Sequence, residues 1–541
     1  MRSSRRNALF TILIGIVFAS PFFAGSPVSA DTILVPDDYD TIQGAIDEAV
    51  DGDTVEVAAG FYVENLDFGG KTLALIGVDG AEVTTINGSD ETLGPDSASV
   101  IRLSGGELAG TVIEGFTLTG GSGSADTSSS GNTISLGGGI VAYDAEVEVI
   151  DCVISGNDNG GVHLDTATIT LEGCTISGNA DRGGVESYDG STVTLIDCVI
   201  DDNVSTYFVG GVSTSAECTG SFTDCTISNN TGLLAGGMGV WGTGEIVGCT
   251  IVDNIGWAGG VAAVLDDADA TLLITGCEFR SNVGSRGGGL HTGATLALDP
   301  GQARVEACLF VGNEGSIGGA IFGDGLGGPI EFDRCTVVDS LADTSGAIHI
   351  QSLATVELTF TNSIVWANGE EAITEGSGSI EISYSTVEDG YDGLGNLDGD
   401  PLFVDADNDD YRLTVLSPCI DAGDPLVLDP DGTVVDMGAF YFPAASQFMR
   451  GDVDGNGVTN ALIDALFLLE WQFVSGESPP CEDAADVDDN GALLALTDAL
   501  VLLQWGFTGG TTPPSPGPFD CGFDLTDEND ELGCETEPDC G

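Results

Sequence analysis

The chain has almost no positive charge: 12 Lys and Arg stand against 87 Asp and Glu, for a formal net charge of −75, and Lys71 is its only lysine. This balance excludes nucleic acid as a partner, because phosphate backbones are held by clustered cations and repelled by such a field. An anionic membrane surface is excluded on the same ground, since no basic patch offsets the repulsion. Long apolar runs are also missing after residue 24, so no transmembrane segment is expected in the mature chain. The one apolar run, Ala8–Ala24, follows Arg2, Arg5 and Arg6 and leads to Val28-Ser29-Ala30, a small-residue cleavage pattern. Residues 1–30 therefore read as an export signal, and the protein as extracellular or displayed at a cell surface. Its removal leaves nine cations and the same 87 acids, a net charge of −78. Most of these carboxylates serve solubility where counterions screen them. Only where their spacing supports it are they read as cation ligands.

A cysteine-centred motif recurs through the middle of the chain: DCVISGN at Cys152, GCTISGN at Cys174, DCVIDDN at Cys198, DCTISNN at Cys225 and GCTIVDN at Cys249. Further copies centre on Cys277, Cys308 and Cys335, and serine takes the position at Ser363 and Ser385. Steps of 22 to 31 residues are too short for a domain and fit one turn of a β-solenoid. Asparagine stands five residues after the cysteine at Asn157, Asn179, Asn203, Asn230, Asn254, Asn282, Asn313 and Asn368, and a glycine pair such as Gly160-Gly161 usually follows. Stacked about 4.8 Å apart, the asparagines can bond along a ladder. The glycines are expected to supply positive φ at the bend between strands. The ladder cysteines are expected to be buried packing groups, with some neighbours able to pair in an oxidising exterior. Cys481, Cys521, Cys534 and Cys540 form a separate set with three possible pairings.

With cysteine, asparagine and glycine recurring together, residues 31–395 resemble the right-handed parallel β-helix family, the pectin-lyase-like fold. The start agrees with this: Ile42, Ala45, Ile46, Ala49 and Val50 line one helical face ahead of a strand at Thr54–Val57. That is the helix such proteins place over the open end of the solenoid. Residues 396–446 resemble a closing segment found in secreted β-helix proteins.

Near the end, residues 452–473 recur at 486–507, a step of 34. Each copy opens with oxygen-bearing side chains at alternate positions, Asp452, Asp454, Asn456 and Asp486, Asp488, Asn490, then glycine, then an apolar helix. Such a loop wraps a hard cation that takes six to eight oxygens. The pair resembles the type I dockerin module, which implies calcium as cofactor, a small α-helical calcium-loop domain over 449–510, and a cohesin-like partner. Val458 would contribute a carbonyl and Asn460 a side chain to the first loop. The family's acidic ligand at position twelve falls on Ile463 and Thr497, whereas Asp464 and Asp498 stand one residue later. Either the backbone shifts by one residue or each site loses its last ligand. With Leu494 where Asn460 stands in the first loop, the second loop is expected to bind less tightly. The plain alternative is a pair of Asp-rich turns capping helices. Arg450-Gly451-Asp452 reads as the start of the first loop, and residues 511–541 as a Pro-, Cys- and acid-rich tail.

A β-helix does not fix its chemistry. Neither the pectate-lyase arginine signature nor the polygalacturonase GHG is present. His163, His291 and His349 follow similar glycines and project from one outer strip, with Glu186, Ser213 and Phe322 in intervening coils and Arg286 nearby. The strip reads either as a polar groove for sugar or as ordinary solvent-facing positions. The overall reading is an all-β right-handed solenoid with a small helical calcium-loop domain, secreted, that binds or displays on extracellular polysaccharide or surface assemblies. The alternative is a polysaccharide-degrading enzyme, a lyase or glycoside hydrolase, docked through the C-terminal module.

Overall fold

The computed structural model describes residues 30–89, 98–127, 133–265, 269–294, 301–325, 329–351, 357–369, 372–376, 378–442, 449–455, 458–474, 476, 478–488 and 495–514. The expected leader, except residue 30, and the tail beyond residue 514 lie outside these residues. The body is a right-handed parallel β-helix. Each full coil places one strand in each of three parallel sheets, as in Val162–Asp165, Thr168–Glu172 and Thr175–Ser177. Sheet A has 14 strands, from Thr32–Val35 to Ser379–Ser383; sheet B has 13, from Gly60–Val63 to Thr386–Val387; sheet C has 12, from Leu66–Asp67 to Ile373–Thr374.

The repeated motif sets the corners. The residue before each cysteine is left-handed, for example Asp151, Gly173, Asp197, Asp224 and Gly248, and so is the residue before each asparagine, for example Gly178, Asp202, Asn229 and Asp253. Asp, Asn and Gly tolerate that conformation at least cost, so the short B strand is bracketed by two sharp turns. The asparagines then lock successive coils. Asn203 Oδ1 accepts from the amide and Nδ2 of Asn179, while Asn203 Nδ2 donates to Ile176 O in the preceding coil. The relay runs on to Asn313, where Ser340 Oγ replaces the amide, and Ser340 N in turn donates to Asn368 Oδ1.

The glycine pairs work differently from the expectation. Gly160 and Gly183 have positive φ, but Gly161, Gly184, Gly211, Gly237 and Gly260 do not. What excludes a side chain at these positions is close approach of the next coil: a Cβ on Gly161 would lie 2.6 Å from Gly184 O, and one on Gly237 2.6 Å from Gly260 O.

Inside, Cys152, Cys174, Cys198, Cys225, Cys249, Cys277, Cys308 and Cys335 are all buried and free. Burial pushes the Cys152 and Cys335 thiols up to about 12, so they pack as small hydrophobes and do not react as thiolates. Phenylalanines stack in the same way between coils, Phe279 on Phe310 and Phe332 on Phe360, each pair 4.4 Å apart at the ring centroids. The helix Ile42–Glu48 buries Ile42, Ala45 and Ile46 against the first coils, and Ala49 just beyond it is buried too. Val50, assigned to that face, lies past the end of the helix and is exposed.

A fourth sheet had no sequence signal, and the closing segment expected over 396–446 takes a place the sequence did not specify. Ile255–Gly256, Val283–Arg286, Glu314–Ile317 and Leu341–Ala342 form a fourth parallel sheet beside sheet C. Residues 403–440 fold back over the outer face of sheet B, where Tyr411 packs with Leu309, Val311 and Val338 and donates its hydroxyl to Asp339. Among the described residues no helix is long and apolar enough to cross a membrane.

Candidate metal centres and an outer aromatic row

The C-terminal module is built on the helices Ile463–Val474 and Ala495–Thr508. Val453, Ala465, Leu468, Val487, Ala499 and Leu502 form its core. Each helix brings an aspartate back onto the loop that precedes it. Asp452, Asp454 and Asp464 offer carboxylate oxygens all within 4.8 Å of one another, and so do Asp486, Asp488 and Asp498. The two groups match in detail: Asp464 Oδ1 accepts from Val453 N at 2.9 Å, and Asp498 Oδ1 accepts from Val487 N at 3.0 Å. Asp464 and Asp498 thus reach the loops while Ile463, at the expected position, is exposed.

Burial, with the neighbouring Asp454 charge adding to it, pushes the Asp464 carboxyl up to about 6 despite amides that donate to it. Three clustered, mostly buried carboxylates are costly together without a compensating cation. Their hard oxygen donors suit a divalent one. These clusters of aspartates could hold a metal ion.

Asn460 Oδ1 accepts from the Leu462 and Ile463 amides, in the manner of a helix cap, and its own amide donates to Asp464. Val458 is described, with its side chain exposed. Asn456 and Asn490 lie outside the described residues. Arg450 is buried and donates to Asp486 O, linking the two loops, which takes the Arg-Gly-Asp sequence out of reach of a receptor. Cys481 is disulfide-bonded.

On the solenoid, the histidines share one register row on the outer face of sheet C. It runs Val141, His163, Glu186, Ser213, Gly239, Ala262, His291, Phe322, His349 and Thr374. Their strand neighbours, such as Val162 and Leu164 or Ile348 and Ile350, point into the core. The row is not solvent-facing, as the plainer expectation had it: His163 is 4% exposed and His291 2%. Loops lie alongside, with Val209, Ala235 and Ala258 packed against Ala262.

Two polar clusters stand on this row. In the first, Glu186 Oε2 lies 3.2 Å from Arg182 Nη1 and 3.5 Å from His163 Nδ1, with Tyr143 and Tyr188 on either side of the imidazole. Arg182 lies over the Tyr207 ring. In the second, Asp324 lies 3.2 Å from His291 Nε2 and 3.3 Å from Arg286 Nη1, and Arg286 also donates to Gln351 Oε1. The Arg286 guanidinium covers Trp257 and Phe322, and Phe322 stacks between His291 and His349. Burial raises the Asp324 carboxyl, but His291 and Arg286 outweigh it and hold the group below the usual carboxylate range. Burial lowers His349, leaving it neutral at pH 7. The partners Asp324, Gln351, Tyr143, Tyr188 and Trp257 were missed from sequence, as was Trp241, which packs with Val209 and Ala262 beside the row, although counting the histidine register through each coil would have found those on the row's own strands.

Residues 107–271 match the family model described as the right handed beta helix region. No curated protein matches the chain. Among solved structures, the catalytic unit of a thermostable α-1,3-glucanase from Streptomyces thermodiastaticus aligns at 16% identity and TM-score 0.43, covering 69% of this chain and 70% of that one. A pectate lyase aligns at 11% identity and TM-score 0.35, covering 77% and 98%. A pectin methylesterase from Aspergillus niger aligns at 14% identity and TM-score 0.25, covering 66% and 87%.

Proposed function

We propose that this is an extracellular β-helix protein that binds polysaccharide along its outer row and is held in a larger assembly by a calcium-dependent, dockerin-like C-terminal module. The observation that carries this reading is the pair of matching aspartate triads, each joining a loop to the helix that follows it. Calcium would be held in the first loop by Asp452, Asp454, Asn456, Asp464 and the Val458 carbonyl, with Asn460 beside it. In the second it would be held by Asp486, Asp488, Asn490 and Asp498. Bound calcium neutralises the triads and fixes each helix on its loop. The docked helical surface would then meet a cohesin-like partner. For the body, support comes from rings, guanidinium groups and carboxylates gathered on one outer row, the mix that recognises sugars by face and by hydroxyl.

The enzyme reading keeps one specific observation, the Asp324 carboxylate beside His291 in the same cluster. Incubating the full chain with a polysaccharide panel and assaying reducing ends and unsaturated products separates the two. Retention of a polysaccharide without product supports binding, and product formation abolished in Asp324→Asn establishes catalysis. If no polysaccharide is retained or cleaved, the glycan reading fails.

A further inference from the structure

In the coils from Asn203 to Ser340 the chain turns from sheet B towards sheet C through residues that stack on one another. Those immediately after the ladder position run in register as Val204, Thr231, Ile255, Val283, Glu314 and Leu341, and all are exposed. The next position is glycine in four of these coils, and it faces inward: a Cβ on Gly256 would stand 2.5 Å from Ala258 O, and one on Gly315 2.5 Å from Gly318 O. Leu233, one position further on, faces outward again. Tyr207 and Phe208 stand beside it, because Leu234 N donates to Phe208 O at 2.8 Å. The fourth sheet and the turns before it thus form an outer face of their own.

One end of that face is apolar. Val204, Tyr207, Phe208, Leu233, Ile255 and Val283 are each between 39% and 62% exposed. At those exposures they present about 500–600 Å² of contiguous surface, a size that often marks an interaction site on a monomer. Beyond Val283 the same outward positions hold Glu314 and Ser316, so the geometry of the coil does not demand apolar side chains here. The rim is acidic. Asp202 and Asp253 stand two residues before Val204 and Ile255, Asp181 O accepts from Thr206 N beside Tyr207, and Glu314 follows Val283, all four with exposed side chains. Arg182, which lies over the Tyr207 ring, is already paired with Glu186. A second copy of this chain would bring the same acidic rim against itself, and the charge of −75 opposes the approach.

We infer that this face docks a cationic amphipathic helix of a partner protein, whose apolar stripe lies against Val204, Leu233, Ile255 and Val283 and whose lysines or arginines meet Asp181, Asp202, Asp253 and Glu314. Val204 to Val283 spans three coil steps, about 14 Å. A helix laid along the solenoid axis returns a side chain to one face about every 5.4 Å, close enough to the coil step to keep register over about three turns. Burial of the apolar centre supplies affinity, and the charged rim supplies orientation and a fast encounter. Docking here depends neither on polysaccharide at the histidine row nor on calcium in the C-terminal module.

The test is calorimetric titration of the full chain, in about 0.15 M salt, with two synthetic peptides of about four helical turns and identical leucine and lysine composition. One places its leucines on a single helical face, and the other is scrambled so that no face forms. The amphipathic peptide should bind at least tenfold more tightly than the scrambled one, which reports only the charge of the whole chain. Leu233→Ser and Ile255→Ser should each weaken the amphipathic peptide fivefold or more and leave the scrambled one unchanged. Leu341→Ser, in the same register but beyond Glu314, should change neither. Unchanged circular dichroism and melting would show that each variant is folded. Equal affinity for the two peptides, or full affinity for the amphipathic one in both Leu233→Ser and Ile255→Ser, overturns the inference. So does a dimer in sedimentation equilibrium that Ile255→Ser dissolves, which would give the face to a second copy. Binding to phosphatidylcholine vesicles that the same variant abolishes would give it to lipid and overturn the inference as well.

Discussion

Replacing Asn230 with alanine removes one rung of the ladder that joins the coils, and its cost can be worked out bond by bond. Asn230 is fully buried. Its Oδ1 accepts from Asn203 N and Asn203 Nδ2, each at 3.0 Å, and its Nδ2 donates to Ile200 O at 2.8 Å and to Asn254 Oδ1 at 3.1 Å. After truncation the Asn203 amide loses its side-chain acceptor, whereas Asn203 Nδ2 keeps Ile176 O and Asn254 Oδ1 keeps the backbone amide of residue 230. One bare buried amide costs about 1–3 kcal/mol, and three lost bonds whose partners stay partly satisfied cost about 0.5–1 kcal/mol each, for a total of roughly 2.5–6 kcal/mol. The control is Asn229→Gly, which keeps a residue tolerant of positive φ and loses only an exposed bond to Asp201, at about 1 kcal/mol or less. Because a solenoid unfolds through neighbour contacts and need not be two-state, native-state hydrogen exchange is the suitable assay. Protection of the Asn203 amide should collapse in Asn230→Ala and persist in Asn229→Gly. Equal protection in both variants would refute the view that the asparagine column holds the coils together.

Gly239→Ala places a methyl group against the Trp241 ring, so the ring must leave the row. Stability should fall by about 1–3 kcal/mol, with a red-shifted tryptophan emission, and an unshifted spectrum would contradict the placement of that ring. A second expectation concerns pH. Burial, with Asp429 and Asp421 adding to it, pushes Asp436 up to about 6. The folded chain therefore holds this proton where the unfolded chain has released it, and stability from this group is present below about pH 4 and lost as pH rises through about 6. Relative to Asp436→Asn, the parent should lose about 1–2 kcal/mol across that window, whereas parallel pH profiles for the two would contradict the assignment.

How far the sequence could be read depended on whether a feature repeats. The cysteine and asparagine columns were legible because stacking puts identical residues into identical environments, so each coil restates the constraint. The same periodicity revealed that His163, His291 and His349 share a row. It did not reveal the burial of His163 and His291, which depends on loops of differing length such as those carrying Val209, Ala235 and Ala258. Asp324 and Gln351 escaped notice because Asp324 stands in one coil only, two residues past Phe322, and Gln351 follows His349 by two. The role of the second glycine in each pair was misassigned, while Gly160 and Gly183 do take positive φ, because a positive φ and a close carbonyl both exclude a side chain and sequence alone does not separate them. In the C-terminal module the duplication was plain, yet whether Asp464 and Asp498 reach the loops depended on how each helix begins. Asn460 sets that in the first copy by capping the helix and donating its amide to Asp464.

The most direct test of the proposed function is calcium titration of the chelator-stripped full chain by calorimetry, alongside Asp464→Ala and Asp498→Ala. The account predicts two calcium ions per chain, one lost in each variant, with tighter binding in the loop that begins at Asp452 than in the one that begins at Asp486. Absence of calcium binding up to the millimolar range of extracellular modules, or a stoichiometry unchanged in both variants, would contradict it.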